Sequence, residues 1–564
     1  MREYKTHLML FAIGCVTLLT FLGYTEFYTK GEPREAIVSV TMLDSGNWIL
    51  PTDNGCDIAY KPPFFHWCIA AASAVVGEVN EYTSRFPSAV ALIAMTVATF
   101  AFYRRRRGES LALLTALLTF TNFEVHRAGV ACRVDMVLTA CMVMAMYLLY
   151  RWVERQCKVV PVMSILLMSA AVLTKGPVGM VLPCLVAGVF LLLRGRGFWY
   201  SFWRLSAIGI GSLVLPAVWY LAAYHQGGQQ FVDLVMEENF GRFTGTMSYD
   251  SHVNPWYYNV MTLVAGFAPY TILVLISLFF VKGVRKPSLD NLWSRLKAWI
   301  GGMDDTRLYS LLALVLIFVF YCIPKSKRSV YLMPMYPFVA YFLAELMKYL
   351  VENKHKAVAI FIQILGRAYE ILFVLFVTIK YSSFTAESFA SVQLYVDAIR
   401  ASNVNLLQML AIVLPILLFE LRCLIYERYT QLKYYLAPLL VMAIFLSLDS
   451  TYQPIVLNAK ADRATTEKVI SLVPKGPIYS YVGIDMMRFF IIDFYSGNRV
   501  GLFEVSHPES GYVLLPEKDA SPFWARHNDY DFSLVYRSNL KGCDVRDYVT
   551  LYKFSRRSSV SSPR

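Results

Sequence analysis

The sequence predicts an α-helical polytopic membrane protein with about 13 transmembrane helices. Interfacial helices are expected in a long first external loop, and a soluble α/β domain is expected at the C-terminus. Three observations predict this class. The 564 residues are 57% hydrophobic and only 16% charged, and mean hydropathy is +0.46, whereas soluble domains are roughly a quarter charged. Apolar runs of about 17–25 residues recur, the length that crosses a hydrocarbon core. Basic clusters fall in alternate loops, as cytoplasmic loops require.

Spans are expected near 8–24, 86–103, 109–123, 134–151, 159–173, 177–193, 203–223, 258–281, 308–323, 330–349, 356–379, 403–420 and 434–449. The first run follows Arg2 and Lys5 like a signal sequence, but has no small-x-small cleavage site and is read as retained. Orientation comes from Arg104-Arg105-Arg106-Arg107, Arg151/Arg155/Lys158, Arg194/Arg196/Arg204, Lys282/Arg285/Lys286, Lys354/Lys356 and Arg422/Arg428/Lys433. Placing all of them inside is consistent along the chain. Residues 62–77 are apolar, yet counting them as a span would send Arg104–Arg107 outside. Residues 35–44 and 63–77 are therefore read as helices lying on the outer surface. Within 356–379, Arg367 and Glu370 share a helix face, either as a neutralised pair or as a lipid-phosphate contact.

After residue 450 the chain turns polar, with Pro, Gly, Asn and Asp turn signals. Domains are therefore expected at 1–450 and 451–564, the second periplasmic. Strands are expected at 477–482, 499–503, 511–515, 533–536 and 548–554, and helices at 485–495 and 522–529. The net charge of +13 is explained by topology and anionic head groups, so no nucleic-acid partner is implied. The 10 cysteines form no CxxC pair. Cys15, Cys141 and Cys184 lie in apolar runs as core thiols, while Cys56 and Cys543 both face outside.

With this topology the polar motifs share the non-cytoplasmic side. The first loop carries Glu32, Arg34, Glu35 and Lys61, with Tyr60 beside the last and Arg85 at the entry to the next span. They read as surface ion pairs or as part of one charged site. Pro33 suits the first turn of a helix, with acidic neighbours at its positive end. Asp135, in Arg133-Val134-Asp135, either caps a helix or polarises an acceptor hydroxyl or holds a cation. His126 and Arg127 lie just upstream. Lys175, in a short loop between two spans, either snorkels or serves a site. Lys325, Lys327 and Arg328 lie outside, against the charge trend, and a lipid phosphate or pyrophosphate is the natural partner. Tyr331 follows them. His252, close to Asp250 and the run 255–258, makes a divalent metal (Zn, Mg or Mn) a candidate cofactor, although a loop histidine is more often merely solvated.

In order along the chain, GEPREA, ML-x-SG-x-W-x-x-P, YKPPFFHW, SRFPSA, R-x-D, TKGP, HVNPWYY and K-x-K-R-x-x-Y-x-x-P resemble the polytopic lipid-linked-sugar glycosyltransferases of the C-type fold. The nearest are the lipid A aminoarabinose transferases and the protein O-mannosyltransferase-like family. The resemblance covers roughly residues 8–350. It implies inverting transfer of a sugar (pentosyl or hexosyl) from a polyprenyl, here undecaprenyl, phosphate donor. Transfer would occur on the periplasmic face of a bacterial inner membrane, to lipid A, another glycolipid or a protein. It implies Arg34, Lys61, Lys325, Lys327, Arg328 and Tyr331 at the donor phosphate and Glu32 and Asp135 as the acting carboxylates. Glu35, Tyr60, Arg85, His126, Arg127, Arg133 and Lys175 would then line the substrate pocket, and His252 would hold the metal. The chain departs from the family at Gly31, where an Asp usually precedes Glu32, and at Tyr60, where the lipid A subgroup has a metal-binding Glu. The rivals are a protein O-glycosyltransferase with the same donor, a transporter or flippase of lipid-linked anions, and a sugar-lipid binding scaffold. The transporter predicts polar residues at mid-membrane and internal repeats, and the sequence shows few of the former and no clear repeat.

Overall fold

The computed structural model describes residues 4–53, 57–59, 61–238, 253–280, 292–383, 385, 390–422, 433–484 and 487–557. The first half is a run of ten helices: α1 (Lys5–Leu19), α2 (Gly31–Ser45), α3 (Phe64–Val76), α4 (Glu81–Arg107), α5 (Glu109–Phe120), α6 (Phe123–Gly129), α7 (Val134–Glu154), α8 (Val162–Lys175), α9 (Val178–Leu193) and α10 (Phe198–Met236). Their starts are written in the sequence. Asn80 caps α4 in a reciprocal box with Thr83, and Asn122 caps α6 through the Val125 N–H. The main core cluster is dominated by α4, α5, α7 and the 329–352 region, where Phe100, Tyr103, Phe338 and Tyr341 are fully buried. Tyr103 stacks on Tyr341 with ring centroids 4.6 Å apart.

Seven described helices are long and apolar enough to cross a membrane, or nine if each of two bent pairs is one span. This corrects the expectation of a straight span at 258–281. The chain there forms Tyr258–Gly266 and Tyr270–Ser277, bent by 99°. Apolar composition cannot tell a straight span from a broken one, but Pro269 between the halves is the local signal, since proline interrupts a helical ladder. Near 403–420, Val392–Ala401 and Leu406–Glu420 likewise meet at 113°. Four further apolar helices at expected spans are shorter: α1, α5, α8 and α9. Helix α2 begins at Gly31, four residues before the expected surface helix, so Glu32 and Arg34 sit on it. Arg367 and Glu370 do pair, at 2.5 Å.

The helix expected to end the bundle at 449 continues past it. Leu436–Ser447 runs into a π turn at Leu448–Tyr452 and then Gln453–Asn458. Beyond lies a five-stranded mixed sheet. After the short first-loop hairpin β1 (Thr52–Asp53) and β2 (Asp57–Ile58) come β3 (Ile478–Ser480), β4 (Val500–Leu502), β5 (Ser510–Pro516), β6 (Tyr530–Lys541) and β7 (Tyr548–Arg556). Their order is β4-β3-β5-β7-β6. The first three strands are parallel, while β7 is antiparallel to both its neighbours. All five expected strands exist, with β6 extending further at both ends. The expected helix at 485–495 shortens to Phe490–Tyr495, and Arg463–Leu472 is a helix that the sequence reading left out.

This domain is clamped to the first loop. The Tyr495 hydroxyl donates to Glu81 at 2.6 Å and accepts from the Phe27 N–H at 2.9 Å. Arg488 pairs with Asp57 at 3.0 Å. The Cys543 thiol donates to the Lys460 carbonyl at 3.2 Å, and Cys56 lies outside the described residues.

Candidate functional site

The first turns of α2 and α7 bring two charged groups together. Both carboxylate oxygens of Glu32 face Arg85 of α4, at 2.8 Å from Nε and 3.2 Å from Nη2. Glu32 also accepts the Cys132 N–H at 2.9 Å. Arg85 spends its remaining donor on the Leu22 and Thr25 carbonyls, at 3.0 and 2.5 Å. Burial would raise the Glu32 carboxyl, but the Arg85 charge and these donors outweigh it and hold it below the usual range. Glu32 is thus spent on fixing the end of α1, α2, α4 and the 132 backbone together. It was expected as one of two acting carboxylates, and its partners here are Arg85 and the Cys132 N–H.

One turn further along α2, Glu35 is buried among cations. It contacts the Lys61 ammonium, His66 Nε2 at 2.9 Å and Arg34 at 3.4 Å. Burial opposes its charge, yet Lys61, His66 and Arg34 hold it well below the ordinary carboxyl range. Burial and the Arg34 charge push Lys61 down to about 8, against the pull of Glu35. Arg34, Glu35, Lys61 and His66 line a pocket of about 480 Å³ that also touches Asp53, Asp57 and Phe490. The C-terminal domain therefore contributes to its wall. The sequence reading missed His66, although YKPPFFHW contains it. The signal was a polar residue on an otherwise apolar surface helix.

Asp135 is the second residue of α7 and contacts the Lys175 ammonium. Lys175 also lies 4.6 Å over the Tyr331 ring, which stacks on Tyr321. The Arg328 and Arg133 charges act on Asp135 as well. Chain segments roughly 40, 150 and 190 residues apart thus meet where the sequence placed separate loops.

The three cations at 325–328 do not act as one cluster. Lys327 is buried and its ammonium donates to the Pro324 carbonyl at 2.7 Å and the Asn254 carbonyl at 3.4 Å. It tethers two loops rather than facing an anion. Lys325 is exposed, and Arg328 is half-buried beside Asp135.

A second cavity of about 730 Å³ is lined by Glu32, Tyr28, Arg85, Arg127, Arg133, Asp449 and the apolar end of α1. Arg127 pairs with Glu124 at 2.7 Å. His126 donates to or accepts from Asp449 at 2.7 Å and stacks on Phe445. Tyr28, Asp449 and Gln453 carried no sequence signal, because their relation to this cavity exists only in three dimensions.

Tyr60 and His252 lie outside the described residues. Among the described residues no three His, Cys, Asp or Glu side chains gather as a metal site.

Residues 60–220 match the family described as dolichyl-phosphate-mannose-protein mannosyltransferase. An uncharacterised protein of Aquifex aeolicus is 27% identical over 325 residues, covering 57% of this chain and 60% of that protein. The undecaprenyl phosphate-alpha-4-amino-4-deoxy-L-arabinose arabinosyl transferase of Shewanella sediminis is 23% identical over 351 residues, covering 60% of this chain and 59% of its own length. The chain therefore spans about 60% of the length of these relatives. The crystal structure of ArnT from Cupriavidus metallidurans bound to undecaprenyl phosphate superposes with a TM-score of 0.70 at 18% identity, covering 100% of both chains. The fold is thus that of ArnT, a polytopic helical membrane protein with a C-terminal α/β sheet domain. Residues 60–220 are thus similar to the dolichyl-phosphate-mannose-protein mannosyltransferase family, and the fold of the whole chain is similar to that of ArnT.

Proposed function

We propose that this chain transfers a sugar from a polyprenyl phosphate to an acceptor, with inversion, at the septum formed by the first turns of α2 and α7. The observation that carries this reading is that the first turns of α2 give a buried carboxylate to each of two cavities. Glu32 lines one and Glu35 lines the other, three residues apart on one helix. Such a spacing is about 5 Å along a helix axis.

On the Glu35 side, Lys61 and Arg34 receive the donor phosphate, while Lys175, over the Tyr331 ring, and Arg328 set the charge around Asp135. As the anomeric C–O bond breaks, its electron pair goes to the phosphate oxygen, and fixed cations stabilise that growing charge without reorganising. The acceptor oxygen bonds the anomeric carbon from the opposite face. Asp135 takes or orients the proton of a hydroxyl acceptor, whereas a phosphate acceptor brings none and positioning dominates. Glu32 and Arg85 hold the septum in shape. The undecaprenyl phosphate bound in the ArnT crystal structure and the family match of residues 60–220 support this donor class.

The same reading takes 1–450 as the membrane unit and 451–564 as a periplasmic domain. It counts about 13 crossings, the four short apolar helices joining the nine longer candidates. It sets the chain in a bacterial inner membrane with lipid A or another envelope glycolipid as acceptor. The family description favours a protein acceptor as the second reading.

The test is the full chain in nanodiscs with a radiolabelled undecaprenyl-phosphate pentose or hexose. Label moving to a glycolipid supports the first reading, and label moving to protein supports the second. Donor binding with no covalent transfer to either would overturn both.

A further inference from the structure

Arg133 sits at the meeting point of two helix starts. It is the residue before α7, and its guanidinium lies across the first residue of α2. A Cβ on Gly31 would stand 2.7 Å from Arg133 Nη2, so the guanidinium occupies the space a side chain there would need. The carboxylates that feel its charge, Glu32 and Asp135, are engaged by Arg85 and Lys175. The guanidinium itself has no hydrogen-bond or ion-pair partner among the described residues. It is half-buried and lines the cavity of about 730 Å³.

The other charged groups of that cavity are already matched. Arg85 holds Glu32, Arg127 holds Glu124, and Asp449 turns one oxygen to His126 at 2.7 Å and the other to Gln453 at 3.0 Å. Among the described residues that line the cavity this leaves one uncommitted cation, near the positive ends of α2 and α7. Tyr28 and an apolar wall of Leu18, Phe21 and Leu22 line the same cavity. A planar guanidinium with free donors recognises tetrahedral or planar oxyanions in a bidentate way. An apolar wall beside it suits the hydrocarbon stem of the same molecule.

We propose that this cavity is a second anion subsite, distinct from the Lys61 pocket, in which Arg133 binds the phosphate head group of an amphiphile carried in the membrane. The assignment rests on the transferase reading only in naming that amphiphile as the acceptor; anion binding itself does not require transfer. Gly31 is then the specificity-determining position, because any side chain there displaces the guanidinium and a carboxylate there neutralises it.

The test uses the full chain in phosphatidylcholine nanodiscs and measures equilibrium binding of short-chain phosphatidate, with inorganic phosphate and short-chain phosphatidylcholine in parallel. Phosphatidate is expected to bind at least tenfold more tightly than either comparator. Arg133→Gln and Gly31→Asp should each weaken it about tenfold or more, as loss of a charge-assisted contact does. Lys61→Ala should leave it within about twofold while transfer falls. Arg133→Gln covers the case in which Gly31→Asp fails to fold, and unchanged thermal unfolding certifies each variant. Equal binding in wild type and Arg133→Gln would overturn the subsite. Inorganic phosphate binding as tightly as phosphatidate would overturn the amphiphile and leave a site for free phosphate. Arg133-dependent binding in a wild-type chain that transfers no sugar would support the subsite and sink the transferase reading.

Discussion

Glu32 and Glu35 stand one turn apart on the same helix and are both buried, yet they do opposite things. The side chains of Glu32 and Arg85 are 5% and 3% exposed, so this pair is closed to solvent and structural. Glu35 is as deeply placed, but two of its partners, Lys61 and Arg34, keep 24% and 36% of their side chains exposed. One carboxylate anchors the scaffold, and the next holds cations at a cavity mouth. Burial of a charge therefore does not identify a site; the exposure of its partners does.

The sharpest way to break the comparison is to remove the closed pair. Glu32→Ala leaves Arg85 buried and uncompensated, and about 3–5 kcal/mol of stability should be lost. Thermal unfolding in detergent checks this, and a loss under about 1 kcal/mol would mean that the pair is not structural. On the open side the loss should appear in rate instead. Lys61→Ala and Asp135→Asn should each cut transfer by about 10²–10³, with unfolding temperatures close to wild type. A variant that keeps wild-type turnover would remove its residue from the site.

Proton titration offers a finer probe. In the proposed transfer Lys61 serves the donor phosphate only as an ammonium, and burial with the Arg34 charge pushes it down to about 8. Transfer should therefore fall as pH rises through that value. Arg34 is a cause of the depression, so Arg34→Gln should move this limb to higher pH in a kcat/KM profile, whatever it costs in rate. In the C-terminal domain the shifts run upward instead, and the readout is stability. Burial pushes Asp493 up to about 7, and the Asp53 charge adds to this while the Val500 N–H opposes it; burial pushes Asp462 up to about 6, against the Cys543 N–H. The native state thus binds protons that the unfolded chain releases. Their contribution is complete below the ordinary Asp value near 3.9 and is lost as pH rises through about 6 and 7. The domain should unfold at higher temperature at pH 5 than at pH 8, and Asp493→Asn should flatten that difference. The smallest effect is expected at Lys327. Its ammonium is committed to two carbonyls, so Lys327→Ala should cost about 1 kcal/mol of stability and leave donor KM within twofold.

Much of this was legible in the chain. Arg133-Val134-Asp135 could be read as a helix start because a polar triplet stands directly before an apolar run. The five strands could be read because alternating apolar residues stand between turn residues. The charged first-loop residues were visible as candidates, but their division into anchor and site was not. The spacing of Glu32 and Glu35 is the same as in any surface helix. Only the arrival of Arg85 from one side and Lys61 with His66 from the other distinguishes them. The count of crossings was blurred for a related reason, since hydropathy sums over a window and is blind to the bend at Pro269.

Composition and charge order determined by themselves that the chain is a multi-pass helical protein with a polar domain at its end, because hydrocarbon length and loop charge are properties of consecutive residues. Tertiary structure decided which cations are spent, as at Arg85 and Lys327, and which stand open, as at Lys61 and Arg133. Pairing depends on distances between residues remote in sequence, and a charge buried without a partner is too costly for the fold to leave to chance.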